Sequence, residues 1–497
     1  MRIKVFIAVI SIIFCSTVIA SDIKIRANSL GFLNEIEIYN SEDSYILPEI
    51  FLDTAELDSF ILDQMESYHI PGASACAIKD GEIFWTGKYG LANMEDNITV
   101  TDSTTFMLCS VSKTVVGVAL MQLYEDGYFG LDDNIELYLP FEIDNPMCPG
   151  INITFRMLMT HTSSIRDNWD VLYPLTVPGD SPVPLDYFME EYLLPDGIYY
   201  NTANFNNWCP GEQENYTNVG IALGALLVEI INPYGLSFDQ YCDMFIFAPL
   251  EMHDTSWYLS GMNIDNIAIP YMYYDNMYHR WPHYGNPVYP AGFLRSNSTH
   301  LARHLIAFMQ HGIIDSVRIL DSTTVELMTT VQINNRGLVW HRLYSNGRLL
   351  WGHNGSSWGA GTKMFYCPDE NTGVIVLTNR DANNGTIAIM DALFEFASQH
   401  TGIDTEDNTP NIISMKQNYP NPFNAWTTIQ YSLSEQSHVV IDIYDILGKR
   451  VKTITHAKQR AGDHKLIWNA KNQSSGIYFY RIQASDYSET KKMLLLR

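Results

Sequence analysis

The chain has 497 residues, 46% of them hydrophobic and 17% charged, enough for two or three domains around a large buried core. Its formal net charge of −26 repels nucleic-acid phosphates and anionic lipid, which excludes both as expected partners. Beyond residue 20 the cysteines are Cys76, Cys109, Cys148, Cys209, Cys242 and Cys367, and their lack of Cys-x-x-Cys spacing argues against a zinc ribbon.

Taken in chain order, Arg2 and Lys4 form a basic start and Val5 to Phe14 an apolar stretch. Val18-Ile19-Ala20 follows as a small-residue cleavage site, so residues 1–20 read as a signal peptide. That stretch is shorter than the roughly 20 apolar residues of a membrane helix, and no later segment supplies them. An exported, soluble protein without a membrane span is expected. Export permits disulfides; Cys148 with Cys209 is one pairing, although sequence leaves the connectivity open.

Residues 21–50 are a polar lead-in. Residues 51–402 mix strand and helix patterns. "SACAIKDGEIFWTGKYG" (Ser74–Gly90) places two short apolar runs around Asp80-Gly81, and "GLVWHRLYSNGRLLWGH" (Gly337–His353) repeats the arrangement around Asn346-Gly347, both hairpin signals. Helical patterns run over Val115–Tyr124, Val219–Ile231 and Leu301–His311. Strands at both ends with helices between them predict an α/β domain: an antiparallel sheet flanked by helices, with a helical subdomain. Residues 403–414 form a polar linker. From Met415 to Arg497 there are 12 Lys/Arg against 6 Asp/Glu, a reversal of charge, and short alternating runs such as His438–Asp445 and Gly476–Ala484 predict a small all-β sandwich.

Three stretches carry chemistry. In "FMLCSVSKTVVGVALMQLYEDG" (Phe106–Gly127), Ser110 and Lys113 lie three apart where an apolar helix begins, so they share one face. The positive end of the helix favours an alkoxide and discourages protonation of the lysine, giving a nucleophile and its base. Capping the helix is the plainer use of that serine, and a chance Ser-x-x-Lys recurs at Ser488–Lys491. Tyr216-Thr217-Asn218 stands on a loop leading into a second apolar helix, where a phenol and an amide can face one cleft. His353-Asn354-Gly355 ends a strand, and its glycine together with the backbone N–H near Ser356 suits a substrate lying along the strand edge. A rival, His283-Tyr284-Gly285, sits among prolines and fits no strand. His300-x-x-x-His304 lacks the glutamate of a metalloprotease helix.

In that order, Ser110-x-x-Lys113, Tyr216-x-Asn218 and His353-x-Gly355 resemble the three motifs of the serine β-lactamases and penicillin-binding proteins, and most closely the class C β-lactamase-like hydrolases. Connecting stretches such as "TFRMLMTHTSSI" (Thr154–Ile165) and "YPAGFLRSNSTHLARHLIAFM" (Tyr289–Met309) extend the resemblance over roughly residues 55–400. It implies a serine hydrolase acting on a peptide or small-molecule amide or ester through a Ser110 acyl-enzyme. Lys113 and Tyr216 would be catalytic, and Asn218, His353, Gly355 and Ser356 would bind substrate, with no metal and no cofactor. His353 stands where the lactamases carry lysine, which points toward the peptidase and esterase branches. A catalytically inactive relative that binds peptidoglycan or another surface ligand is the alternative.

In the tail, "NYPNPFNAWTTIQYSLSEQSHVVIDIYDILGKRV" (Asn418–Val451) and "GIYFYRIQASDYSETKKMLLLR" (Gly476–Arg497) resemble the C-terminal sorting domain of the type IX secretion system. That resemblance implies secretion machinery as a partner and a secreted or cell-surface location. Trp426, Trp468, Tyr478 and Tyr480 are expected to fill the core of the sandwich, the other use being a carbohydrate site.

Overall fold

The computed structural model describes residues 38–39, 47–48, 51, 53–143, 145–399 and most of 413–495. The signal peptide read at 1–20, most of the lead-in at 21–50 and nearly all of the linker at 403–414 lie outside the described residues. Two units divide the chain, one ending at Gly402 and the other beginning at Ile403.

In chain order the sheet strands of the first unit are β1 (Ile38–Tyr39), β2 (Gly72–Lys79), β3 (Glu82–Asn93), β4 (Ile98–Thr99), β5 (His341–Ser345), β6 (Arg348–Ser357), β7 (Ala360–Cys367) and β8 (Thr372–Thr378). They lie side by side as β1-β5-β6-β7-β8-β2-β3-β4. Only the short β1–β5 pairing, which falls in the lead-in, is parallel among the described strands. Two turns set the register. Asp80 and Gly81 hold φ of +51° and +80°, and Asn346 and Gly347 hold +42° and +80°. Those are the left-handed pairs that two-residue hairpin turns require, and they place Lys79 opposite Glu82 and Ser345 opposite Arg348.

Because successive strand residues face opposite ways, the sheet has two apolar faces. Ala73, Ala75, Ala77, Val374 and Val376 meet helices α1 (Thr54–Ser67) and α5 (Asn384–Gln399) through Leu57, Ile61, Ile387 and Leu393. Cys76, Ile78, Ile375 and Leu377 face the helical subdomain, which holds α2 (Ser112–Glu125), α3 (Asn218–Ile231) and α4 (Ser298–Met309). Each of these helices starts within three residues of its predicted pattern. α3 is buried from Val219 to Val228, as a helix that is apolar all round must be. At Gly224 a Cβ would lie 3.1 Å from Leu120 Cδ1, so this glycine sets how closely α3 approaches α2.

The rival motifs resolve into structural roles. His304 is fully buried with Nε2 3.1 Å from Thr114 Oγ1. The His300 ring is turned toward Asn297 Nδ2 and the Asp254 N–H, so the two histidines serve different neighbours. Tyr284-Gly285 does form a strand, a two-residue one paired with Val177–Pro178, contrary to the sequence reading. A strand this short is specified by its partner and leaves no pattern. Cys148 and Cys209 form a disulfide across 61 residues, while Cys76, Cys109, Cys242 and Cys367 are free and buried. Among the described residues no helix is long and apolar enough to cross a membrane.

The second unit is a sandwich. A three-stranded sheet (Ile413–Met415, Trp426–Leu433, Gly462–Asn469) and a four-stranded one (Arg450–Gln459, Ser437–Asp445, Gly476–Ala484, Tyr487–Leu495) share a core of Ile429, Tyr431, Ile441, Trp468, Tyr480 and Met493. Trp468, Tyr478 and Tyr480 fill that core, but Trp426 is 48% exposed with the Lys471 ammonium 5.4 Å from its ring. Its place at the start of a strand puts it on the outward face, which alternation alone did not reveal.

The disulfide closes a long loop, which restricts the unfolded chain. Replacing both Cys148 and Cys209 with serine should lower the unfolding free energy by about 2–4 kcal/mol in denaturant titration. An unchanged midpoint would show that the bridge adds nothing to stability.

Candidate active site

Ser110 sits in a single 3₁₀ turn, Cys109–Val111, that runs directly into α2. Cys109 holds φ +50°, a region that costs a non-glycine residue about 1 kcal/mol or more and persists only when its surroundings impose it. Leu294 does so: its carbonyl accepts the Leu108 N–H at 2.8 Å and its N–H donates to Ser112 Oγ at 3.2 Å. Strand β6 presses on the same turn. A Cβ on Gly355 would stand 2.4 Å from the Leu108 carbonyl oxygen, so glycine is what lets the strand edge reach the serine.

Lys113, in the first turn of α2, is fully buried. Its Nζ lies 3.1 Å from Ser110 Oγ and donates to Asn218 Oδ1 at 2.8 Å and to the Ala291 carbonyl at 2.6 Å. Burial pushes its pKa down to about 7, opposed by the Asp167 carboxylate and assisted by the Arg336 cation. A neutral amine has two N–H groups and one lone pair. The two carbonyl-type oxygens take both N–H groups, which leaves the lone pair for the Ser110 hydroxyl.

The orientation of Asn218 follows from a residue that the motifs did not include. Asp167, 5% exposed, accepts the Asn218 Nδ2–H at 2.7 Å, the Asn218 N–H at 2.8 Å, the Val219 N–H at 3.0 Å and the Thr217 hydroxyl at 3.0 Å. A carboxylate only accepts, so the amide nitrogen must face Asp167 and the amide oxygen must face Lys113. Its charge also sits at the N-terminus of α3, where it is favoured. Asp167 is 51 residues from Asn218, and nothing local in the sequence marks it.

Tyr216 lies against the same lysine, with Lys113 Nζ 4.7 Å from its ring centroid. Burial raises the phenol pKa, while a hydrogen bond with Ser110 and the Arg336 charge lower it. The His161 ring, 4.3 Å away between centroids, backs the phenol; its Nδ1 accepts the Thr217 N–H at 3.2 Å. On β6 the His353 ring is 6.2 Å from Tyr216, 2% exposed, with Nδ1 donating to the Asn354 carbonyl at 2.6 Å. Burial, with Lys113 beside it, holds its pKa well below the ordinary histidine value, so it is a neutral imidazole. Lys363, opposite Asn354 on β7, donates to Asn354 Oδ1 at 2.7 Å, beside the third motif without replacing its histidine.

Ser110, Lys113, Tyr216, Asn218 and His353 therefore gather at one place, and Gly355 brings the end of β6 there too. Ser356 is exposed at that strand end, its Oγ accepting the Ala382 N–H at 3.3 Å. Ser488-x-x-Lys491 lies on a strand of the second unit. The arrangement supplies a hydroxyl, an amine whose pKa is brought down to about 7, a buried phenol and a strand edge, the components for activating a nucleophile against a carbonyl.

Residues 57–393 match the family described as Beta-lactamase, and residues 417–496 match the secretion system C-terminal sorting domain. Protein flp of Staphylococcus aureus (strain MRSA252) is 21% identical over 384 residues, spanning 76% of this chain and 72% of its own. Among solved structures, the penicillin binding protein from Bacillus halodurans aligns with a TM-score of 0.55 at 22% identity, covering 67% of this chain and 98% of its own. The D-amino acid amidase from Ochrobactrum anthropi SV3 gives 0.53 at 19% identity, covering 68% and 99%. At such identities the structures establish a shared fold.

Asp167→Ala would leave the donors at the start of α3 unanswered and free the Asn218 amide to turn. It should cost about 2–4 kcal/mol of stability and at least tenfold in turnover, read by thermal unfolding and by ester hydrolysis. A variant with wild-type turnover would mean that Asp167 has no part in aligning the lysine.

Proposed function

The chain belongs to the beta-lactamase family of serine hydrolases and ends in a sorting-domain sequence, and from that premise we propose that it is an exported acyl-hydrolase working through a Ser110 acyl-enzyme. The observation that carries this reading is the buried Lys113 amine 3.1 Å from Ser110 Oγ with its pKa brought down to about 7. Ser110 Oγ attacks the substrate carbonyl while Lys113 takes its proton, and the backbone N–H groups of Ser110 and Ser356 hold the oxyanion. Collapse of the intermediate breaks the bond to the leaving nitrogen or oxygen, which receives a proton by way of Tyr216. Water then attacks the acyl ester, giving up its proton to the same Tyr216–Lys113 pair, and the product acid leaves. Neutral His353 supports Tyr216, and Asn218 borders the substrate while anchoring the lysine.

The bond cleaved is an amide or an ester, of a D-alanyl peptide or a simple ester. A D-amino acid amidase among the structural neighbours supports amides, and His353 in place of a lysine favours the peptidase and esterase branches over lactam hydrolysis. The sorting-domain match supports passage from the periplasm across the outer membrane.

Ser110→Ala should abolish labelling by an active-site serine probe and leave the fold intact, since one hydroxyl at a helix start contributes about 1 kcal/mol. In the wild type, turnover should fall about tenfold per unit below pH 7 as Lys113 takes up a proton. An adduct on another residue, as located by mass spectrometry, or full turnover by Ser110→Ala, would end this assignment; absence of any adduct would favour an inactive binding protein.

A chain ending at Thr401 should fold and keep full turnover in vitro, and in its native host should accumulate in the periplasm. Loss of folding, or unchanged export, would contradict the separate role given to the tail.

A further inference from the structure

Two residues before Tyr216, Glu214 forms a nearly buried ion pair with Arg336: Arg336 Nε donates to Glu214 Oε1 at 2.6 Å, and their side chains are 13% and 9% exposed. Asn334 Nδ2 donates to the other carboxylate oxygen at 2.7 Å. The guanidinium carbon lies 5.4 Å from the centroid of the Tyr216 ring. The loop that presents Arg336 is tightly held. Gln332 N–H donates to the Arg336 carbonyl at 2.7 Å, and Arg336 N–H to the Ile333 carbonyl at 2.8 Å. Just beyond, Val339 holds φ +71°, a strained conformation for a β-branched residue, fixed by its N–H on the Met159 carbonyl at 2.8 Å.

Burying an ion pair is a poor way to gain stability, because desolvation offsets the attraction and apolar residues of similar size serve as well. Its position suggests another use. We propose that Arg336 and Glu214 are positioning residues that set the charge felt by the Lys113–Tyr216 pair, Arg336 supplying a permanent positive charge at the phenol and Glu214 limiting its strength.

The other groups facing the pair leave this task to Arg336. His161 and His353 are neutral, each held well below the ordinary histidine pKa chiefly by burial. The Cys109 thiol is pushed up to about 12 by burial and stays protonated. Asp167 is an anion and acts in the opposite sense, favouring protonated Lys113. Arginine keeps its charge across the working range, which a histidine at this place would not. A positive charge here favours neutral Lys113 and a phenolate-like Tyr216, the states in which the pair can receive the serine proton and pass it on.

This inference rests on the Ser110 acyl-enzyme reading, and the test separates the two. The full chain is assayed with p-nitrophenyl acetate from about pH 5 to 9, where the acid limb of kcat/KM reports protonation of the base. In Arg336→Gln the unbalanced Glu214 anion should move that limb upward by about half a unit or more. In Glu214→Gln the unopposed arginine should move it downward, and the double variant should return toward wild type. Arg336→Lys, which keeps the charge, should leave the limb near its wild-type position. A purely structural pair would lower kcat/KM in all variants without opposed shifts, and coincident limbs or shifts of one sign would overturn the inference. If Arg336→Gln fails to fold by circular dichroism, the downward shift in Glu214→Gln and the retained limb in Arg336→Lys decide alone. Ser110→Ala is run alongside. Wild-type turnover in that variant overturns the acyl-enzyme reading and this inference with it. An inactive Ser110→Ala with unmoved limbs in the other variants overturns only the charge-setting role.

Discussion

The site depends on taking one lysine out of water. An ammonium loses its hydration on burial, so the folded chain holds Lys113 with its pKa near 7, where the amine is available as a base. A direct carboxylate partner would undo this by pinning the charge. Asp167 instead reaches Lys113 through the Asn218 amide, close enough to organise the site and without a salt bridge to the lysine. Once the amine is neutral, its two N–H groups are taken by Asn218 and Ala291, and the direction of its lone pair follows.

The fold supplies the rigid pieces for that arrangement. The start of α2 carries Ser110 and Lys113, the start of α3 carries Asn218, and β6 brings a glycine edge against the serine turn. His161, against the Tyr216 ring, holds φ +59°, and further local cost lies in Cys109, beside Ser110, and Val339, three residues after Arg336, both non-glycine residues with positive φ. The conformations of these two are imposed by hydrogen bonds from Leu294, on Leu108 next to Cys109, and from Met159, on Val339, both from distant parts of the chain. Such strain is sustained where the surrounding core is large enough to enforce it.

Local patterns in the sequence carried much of this structure. Asp80-Gly81 and Asn346-Gly347 marked their turns because few other dipeptides accept two left-handed residues, and α3 declared itself by a long apolar run. Ser110, Lys113, Tyr216, Asn218 and His353 could be proposed together because the three motifs keep their order and spacing. What stayed hidden was long-range. Asp167 orients Asn218 from 51 residues away, and Arg336 reaches Tyr216 from a loop without a motif. The neutrality of His353 is a consequence of burial and of Lys113 beside it, neither of which is visible in a single strand. Trp426 was placed with the core aromatics of the tail, yet its strand face turns it outward.

The central claim is that Lys113 gives up its proton near pH 7 in the folded protein, far below an ordinary lysine. It is tested most directly by titrating the full chain, labelled with carbon-13 at the lysine Cε, by NMR, with Lys113→Ala to assign the resonance. The account predicts one lysine titrating near pH 7 that is absent from the variant. A Lys113 resonance titrating at the ordinary lysine value of about 10.4 would contradict it.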